Sequence, residues 1–232
     1  MGEERIPTGV PGLDQLVAGG LPRGHVVAAI GSFGTGKTTL GLQFIAEGIR
    51  RGEKCMMVSL EEDQDSLTRS AAAYGWDLKA AGKDLYVAQL EPADMAASVN
   101  RLKSDLPSKI QAFGARRLVL DSVSLFAMLF DEPAKQRQAL FQLARTVKQS
   151  GVTALFTAEA GDSPGRSRDG LVEYVADGVI ALRAFDSESQ PGASKLGVQV
   201  LKMRRSEHER TAVPYEITTK GIVVHPESRL ML

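Results

Sequence analysis

The sequence has a single cysteine and no net charge, and each of these features excludes a class of protein. Its single cysteine, Cys55, excludes an internal disulfide and is typical of a chain kept in a reducing compartment. Lys and Arg number 28, as do Asp and Glu, so no overall basic field attracts nucleic acid. Because Cys55 lies in an apolar run, we interpret it as a small core residue.

Long hydrophobic runs are also missing. No apolar segment approaches the roughly 20 residues that a membrane-spanning helix needs. The first five residues lack the apolar core of a signal peptide. We therefore expect a soluble, cytoplasmic protein without membrane contact. A length of 232 residues, 43% of them apolar, predicts one domain over residues 1–232.

Glycine is plentiful where it carries chemistry. Residues 31–38 read Gly-Ser-Phe-Gly-Thr-Gly-Lys-Thr, between an apolar run at 26–30 and a helical pattern at 39–51. In such a P-loop, backbone N–H groups wrap a phosphate, the lysine reaches the β- and γ-phosphates, and the last hydroxyl ligates Mg²⁺. The sequence thus predicts nucleotide contacts by Ser32, Phe33, Gly34, Thr35, Gly36, Lys37, Thr38 and Thr39, with Thr38 also binding the metal.

Strand and helix patterns alternate along most of the chain, which favours an α/β fold with a mostly parallel sheet flanked by helices. We predict a helix from about Ala93 to Asp105, broken by Pro107. After residue 160 the pattern changes to consecutive strands at 178–183, 197–203 and 215–217 with 222–224, joined in part by a turn or loop at 186–194. These predict antiparallel hairpins added to the parallel core.

Carboxylates end the predicted core strands. Asp121 closes the apolar run 118–120, where P-loop proteins hold Mg²⁺ through its water shell. Glu61 and Glu62 close the run 58–60, and a hydrolase needs a carboxylate that orients water near the γ-phosphate. Because parallel strands end at one edge of a sheet, these groups should converge with the P-loop.

Two questions about these carboxylates stay open. Adjacent residues of an extended chain point in opposite directions, so one glutamate should face the phosphate better, and we favour Glu61. Alternatively, both glutamates are charges at the start of the next helix. Glu159 ends a further core strand and either senses the γ-phosphate or simply begins a loop.

A basic cluster at 202–208 is the remaining candidate. Lys202 and Arg204 share one face of a strand, whereas Met203 points to the other. With His208 they would grip a triphosphate, and from their distant position in the chain they would serve a neighbour's nucleotide, as an arginine finger does. The alternative is a solvated edge hairpin, where Lys and Arg are common.

Motifs over nearly the whole chain resemble those of single-domain KaiC-like proteins within the RecA-type ATPases. The entry to the P-loop matches at 6–14 and 19–24. Further matches are 58–62, Tyr74-Gly75-Trp76-Asp77-Leu78, Leu120-Asp121-Ser122, Val175-Ala176-Asp177, Lys202-x-Arg204-x-x-x-His208, and 216–218 with Gly221-Ile222.

This resemblance implies a RecA-type fold that binds ATP and Mg²⁺, hydrolyses ATP slowly and assembles as a hexameric ring with nucleotide between subunits. It implies catalytic roles for Glu61, Glu62, Lys37 and Arg204, with Thr38 and Asp121 at the metal. It also implies that the element containing Lys202, Met203, Arg204 and His208 contacts the neighbour's nucleotide. We expect a regulatory or signalling role, and the sequence does not identify a protein partner other than a second copy of the chain.

The resemblance has limits. The clock member of the family carries two such domains, and its second domain has adjacent Ser and Thr phosphorylation sites. Glu173 and Tyr174 stand at the corresponding positions here. Glutamate accepts no phosphate and tyrosine needs a different geometry, so Ser/Thr autokinase activity is disfavoured.

Two other functions compete with the ATPase. One is a DNA-dependent recombinase-like ATPase, whose loop with Arg166 and Arg168 would line a central channel. The neutral net charge and the lack of a separate DNA-binding segment argue against it. The other is an ATP-gated scaffold with vestigial hydrolysis, docking a partner through the hydrophobic run 125–130, although such a run is usually buried.

Overall fold

The structure, a computed structural model, describes residues 3–89, 95–130, 132–163, 165–168, 170–186 and 194–230. Among these residues, nine strands form one sheet and two short strands form a small second one. The elements are β1 (Arg5–Ile6), α1 (Leu13–Leu16), β2 (Leu21–Pro22), β3 (Val26–Gly31), α2 (Lys37–Arg50), β4 (Cys55–Ser59), α3 (Gln64–Ala73), β5 (Leu85–Gln89), α4 (Met95–Phe113), β6 (Arg117–Asp121), α5 (Val123–Met128), α6 (Pro133–Gln149), β7 (Thr153–Glu159), α7 (Val172–Val175), β8 (Gly178–Asp186), β9 (Ser194–Met203), β10 (Val213–Thr218) and β11 (Gly221–Val224).

The large sheet has the order β11-β10-β9-β8-β3-β7-β6-β4-β5. From β8 to β5 all neighbours are parallel, whereas β8, β9, β10 and β11 pair antiparallel in succession. The predicted α/β fold, with a parallel core and C-terminal antiparallel hairpins, is confirmed. β7 and β6 lie between β3 and β4, so the connection after β3 crosses over two strands. The loops after β3, β4, β6 and β7 therefore meet along one edge.

Helices cover both faces of the sheet because successive strand residues point to opposite sides. Val26, Ala28 and Ile30 of β3 pack into one hydrophobic cluster with buried residues of α4, α5 and α6. Val27 and Ala29 pack into the other with α1, α2, α3 and the C-terminal strands. None of the helices in the described part of the chain combines the length and apolar character needed to cross a membrane.

The prediction that Pro107 breaks the fourth helix is wrong. α4 continues through it to Phe113. Leu106 and Ile110 flank the proline and are 2% exposed, so packing against the core holds the helix on both sides of it. Burial of this kind outweighs the hydrogen bond that a proline cannot donate. The predicted helix start at residue 93, and residues 187–193 of the predicted loop, lie outside the described residues.

Candidate nucleotide-binding site

The P-loop joins the end of β3 to the start of α2 in the geometry of an anion cradle. Gly34 and Gly36 have φ angles of 75° and 81°, which L side chains rarely adopt. A Cβ atom on Gly36 would also come within 2.8 Å of Ile217 Cδ1. Lys37 begins α2, and its ammonium donates to the carbonyl of Ser32 at 3.0 Å, across the loop. The N–H groups of the loop and the N-terminus of α2 are therefore in position to bind an anion.

An open cavity of about 360 Å³ lies above this loop. Phosphate-binding backbone, a lysine, two carboxylates and two apolar side chains form its wall. The lining residues are Phe33, Gly34, Gly36, Lys37, Thr38, Thr39, Glu61, Glu159 and Ile217. A larger cavity, of about 780 Å³, lies between α6 and α7 but contains no glycine-rich loop. Chemistry rather than volume therefore identifies the candidate site.

Thr38 and Asp121 meet at the base of the cavity. The Thr38 hydroxyl donates to Asp121 Oδ2 at 2.7 Å. Burial raises the pKa of Asp121 above its usual value, and hydrogen bonds from Thr157 and Thr38 oppose that rise. A hydroxyl and a carboxylate are hard oxygen donors, which suit Mg²⁺ completed by phosphate oxygens and water. The residues present therefore fit this metal.

Glu61 and Glu62 differ in their surroundings. Glu61 is exposed and lines the cavity. The Glu62 carboxylate instead accepts a hydrogen bond from Ser66 Oγ at 2.6 Å, and its backbone N–H and carbonyl both bond to the Ser59 hydroxyl. The structure therefore brings Glu61, rather than Glu62, to the phosphate side. The catalytic role of either residue stays a prediction.

Glu159 stands at the end of β7, on the rim of the same cavity. Its N–H donates to Ser124 Oγ at 2.8 Å, which fixes the backbone. Its carboxylate is 47% exposed and lies 3.4 Å from Arg168. The side chain therefore faces both the cavity and the loop after β7.

The C-terminal hairpin β10–β11 packs against the P-loop, a contact that the sequence did not predict. Tyr215 is 2% exposed and donates from its hydroxyl to the Thr35 carbonyl at 2.6 Å. Gln43 on α2 bonds to the backbone of Ile222 in both directions, at 2.8 and 3.2 Å, and to the Gly9 carbonyl at 2.9 Å. The one signal in the sequence was Gln43, an amide between the apolar residues Leu42 and Phe44.

The basic element lies at the opposite end of the sheet. Lys202 pairs with Val179, which stands level with Ala28 near the start of β3. The Arg204 carbonyl contacts His25 Nε2 at 3.1 Å, just before β3. The P-loop begins at Gly31, six residues after His25 and therefore roughly 20 Å away along an extended strand. An arginine side chain does not span that distance, so the chain does not bring this element to its own P-loop.

Contacts with the chain's own backbone hold this element in place. Lys202 donates to the carbonyls of Glu173 at 3.0 Å and Ala176 at 2.7 Å, and burial lowers its pKa. Met203 is 4% exposed and packs inside. Arg204 is half exposed, with its guanidinium 3.5 Å from Asp177.

His208 is half-buried beside this element, with Nδ1 3.3 Å from the Ser206 carbonyl. Lys202 thus lies near the end of β9, and Arg204 and His208 follow in the connection to β10. We call this end of the sheet, opposite the P-loop, the lower edge, and Met203 points away from it into the core.

The hydrophobic run 125–130 offers little surface. Phe126 and Ala127 are buried within α5 and pack into the core, whereas Met128 is 57% exposed. The docking surface that the scaffold hypothesis needs is therefore mostly interior.

Comparison with known proteins agrees with this geometry. The family model described as "ATPase: KaiC" matches residues 6–229. The circadian clock protein KaiC3 of Synechocystis is 33% identical over the whole chain, which spans 47% of that protein. A UPF0273 protein of Aeropyrum pernix is 31% identical over 97% of this chain and 94% of its own length.

Among solved structures, the KaiC-like protein PH0186 of Pyrococcus horikoshii is 34% identical. It superposes with a TM-score of 0.85 over 97% of this chain and the whole of that one. A family match over nearly all residues, a relative matched over most of its own length and the same three-dimensional arrangement agree with each other. This chain belongs to the KaiC family of nucleotide-binding ATPases.

Proposed function

We propose that this protein is a Mg²⁺-dependent ATPase whose sites lie between neighbouring subunits of a ring, with six subunits by analogy with its family. One observation carries the proposal. The P-loop, Thr38, Asp121 and Glu61 cluster at one edge of the sheet, whereas Arg204 lies at the opposite edge. Such a separation is what a site completed by a second copy requires.

We call the end of the sheet that carries the P-loop the upper edge. Each of its site residues has a role that its position supports. The P-loop N–H groups and Lys37 bind the phosphates, and Mg²⁺ held beside them would supply positive charge against the charge that develops on the γ-phosphate. Thr38 and Asp121 hold that metal. Glu61 orients the attacking water because its carboxylate faces the cavity, and in the described part of the chain it has no hydrogen bond like the one that joins Glu62 to the Ser66 hydroxyl.

The neighbouring copy adds positive charge to that of Lys37 at the upper edge. Arg204 is exposed and its guanidinium is only loosely held by Asp177, so it is free to turn outwards. Lys202 and His208 lie beside it and would contact the same nucleotide. A regulatory output is the role that fits slow turnover in such an assembly.

A DNA-dependent ATPase is the alternative that the same experiments test. Its support is the exposed pair Arg166 and Arg168 in the loop after β7. Arg168 is paired with Glu159 at 3.4 Å, which removes part of the free positive charge that the alternative needs.

The proposal predicts measurable turnover that needs both Mg²⁺ and Lys37. Purified protein should hydrolyse ATP and form a ring by light scattering, and Lys37→Ala should lower turnover by about 10²-fold or more because a charge-stabilising group is lost. Lys220→Ala removes an exposed lysine from the β10–β11 turn and should leave turnover unchanged.

Two outcomes would contradict the proposal. If the wild-type protein turned over ATP no faster than Lys37→Ala, the proposed hydrolase activity would be excluded. Stimulation by single-stranded DNA, lost as salt rises, would favour the DNA-dependent alternative.

A further inference from the structure

A buried threonine touches the candidate metal site from below. Thr157 lies on β7, between the strand that leads into the P-loop and the strand that ends at Asp121. It is fully buried, and its hydroxyl donates to Asp121 Oδ1. The other oxygen, Oδ2, accepts from Thr38 at 2.7 Å. Each oxygen of this carboxylate therefore has a threonine hydroxyl of its own.

This double contact restrains the carboxylate more than one bond would. A carboxylate held at one oxygen still rotates about its Cβ–Cγ bond, since that torsion has a broad minimum. Thr157 is itself rigid, because a β-branched side chain in a packed strand keeps one χ1 value. With Oδ1 anchored inside the sheet, Oδ2 stays at the Thr38 hydroxyl.

A purely structural role for Thr157 would not require a hydrogen bond to Asp121. Its hydroxyl also lies 3.4 Å from the Leu120 carbonyl, so a backbone acceptor is within reach. The flanking residues Phe156 and Ala158 are apolar and buried, and valine has the shape of threonine without the hydroxyl. The chain nevertheless has a hydroxyl here, and that hydroxyl contacts the metal-binding carboxylate.

We propose that Thr157 is a positioning residue for the metal, which holds the Asp121 carboxylate in the orientation that binds Mg²⁺ together with the nucleotide. This inference rests on the proposed function, because it presupposes a Mg²⁺-nucleotide complex at the P-loop. Thr157 acts through Asp121 and does not touch the nucleotide. Residues that orient a metal ligand in this way typically contribute about 10–100-fold to metal affinity or activity.

The test compares binding of ADP with and without Mg²⁺ by calorimetry. Thr157→Val should reduce the Mg²⁺-dependent gain in ADP affinity by about 10-fold or more. Binding of ADP in EDTA should stay as in the wild type, because the P-loop is untouched. Thr157→Ser keeps the hydroxyl and should retain most of the gain.

The same strand provides a matched control. Thr153 is 1% exposed and accepts a hydrogen bond from the Gly24 N–H at 2.9 Å, at the far end of β7 from the P-loop. Thr153→Val makes the same chemical change at the same depth and should leave the effect of Mg²⁺ unchanged. If it reduced that effect as much as Thr157→Val, general loss of sheet stability would explain both, and the proposal would be overturned.

A folded Thr157→Val protein with the wild-type response to Mg²⁺ would also overturn it. Should Thr157→Val not fold, Thr157→Ala and Thr157→Ser make the same comparison, and equal responses to Mg²⁺ in that pair would count against the proposal. Failure of the proposed function looks different, because the wild-type protein itself would then bind ADP equally with and without Mg²⁺.

Discussion

The two edges of the parallel sheet differ in how complete they are. At the upper edge, side chains of β6, β7 and α2 contact one another within a single copy through the Thr38–Asp121 and Thr157–Asp121 bonds, and Tyr215 of β10 bonds to the Thr35 carbonyl. At the lower edge, Lys202 and Arg204 bond mainly to the chain's own backbone and to Asp177. The groups of the upper edge thus hold one another in place, whereas the basic groups of the lower edge are held by backbone carbonyls and by Asp177.

Asp177 is the charged group that holds the basic side chains of the lower edge in place. Burial alone would raise the pKa of Asp177, but hydrogen bonds from Lys148 at 2.9 Å and the Val26 N–H at 3.1 Å outweigh it, and the pKa falls below its usual value. The carboxylate stays charged and holds Arg204 near the surface. This contrast is the basis of the proposal that assembly, rather than folding, completes the site.

Mixing two inactive variants gives the sharpest test of this contrast and the largest expected effect. Arg204→Ala should lower kcat by about 10³-fold, the lower end of the range for an arginine finger. Lys37→Ala is inactive for a different reason. A mixed ring of the two contains some sites with an intact Lys37 from one copy and an intact Arg204 from the next, so mixing should restore part of the activity.

Arg210→Ala is the matched control for Arg204→Ala. Arg210 is exposed and lies in the same connection between β9 and β10. Its loss should leave turnover within a few-fold of the wild type. If the mixture of inactive variants stayed inactive although light scattering showed mixed rings, the shared site would be excluded.

The next prediction separates the two glutamates of the upper edge. Glu61→Gln should lower kcat by about 10²-fold, because the amide no longer orients or deprotonates water. Glu62→Gln should have a much smaller effect, since its carboxylate already bonds to Ser66. ATP binding should be retained in both. The measurement is steady-state turnover beside equilibrium binding, and a larger loss in Glu62→Gln would reverse the assignment.

Local patterns predicted the fold well, and contacts between distant residues were predicted poorly. The strand that ends at Asp121 and the P-loop could be predicted because the hydrophobic pattern and the spacing of glycines are properties of the local sequence. Gln43 contacts residues 179 positions away, and no local pattern signals such a pair. Pro107 was misjudged for the same reason, because the packing that keeps α4 intact comes from other elements.

The candidate site follows the same rule. Glu61 and the P-loop face one cavity because parallel strands end on the same side of the sheet. This convergence could be predicted from the alternation of strands and helices. The hydroxyl of Thr157 was overlooked because threonine is an ordinary strand residue. The functions of these residues stay predictions until they are measured.

The smallest expected effect concerns Tyr215, which links the C-terminal strands to the P-loop. It belongs to β10, pairs with Leu196 of β9 and donates to the P-loop carbonyl of Thr35. Tyr215→Phe keeps the ring and removes one buried hydrogen bond, so the free energy of unfolding should fall by about 1 kcal/mol. Affinity for ADP should fall less than 10-fold, because the P-loop keeps its other contacts.

Tyr174→Phe makes the same change on a side chain that is 71% exposed and should alter neither quantity. Urea unfolding beside calorimetry measures both. An unchanged unfolding free energy in Tyr215→Phe would mean that the hairpin is held by Ile217, Ile222 and Gln43 alone. In that case the phenol would contribute nothing to the connection between the P-loop and the strand that carries the basic element.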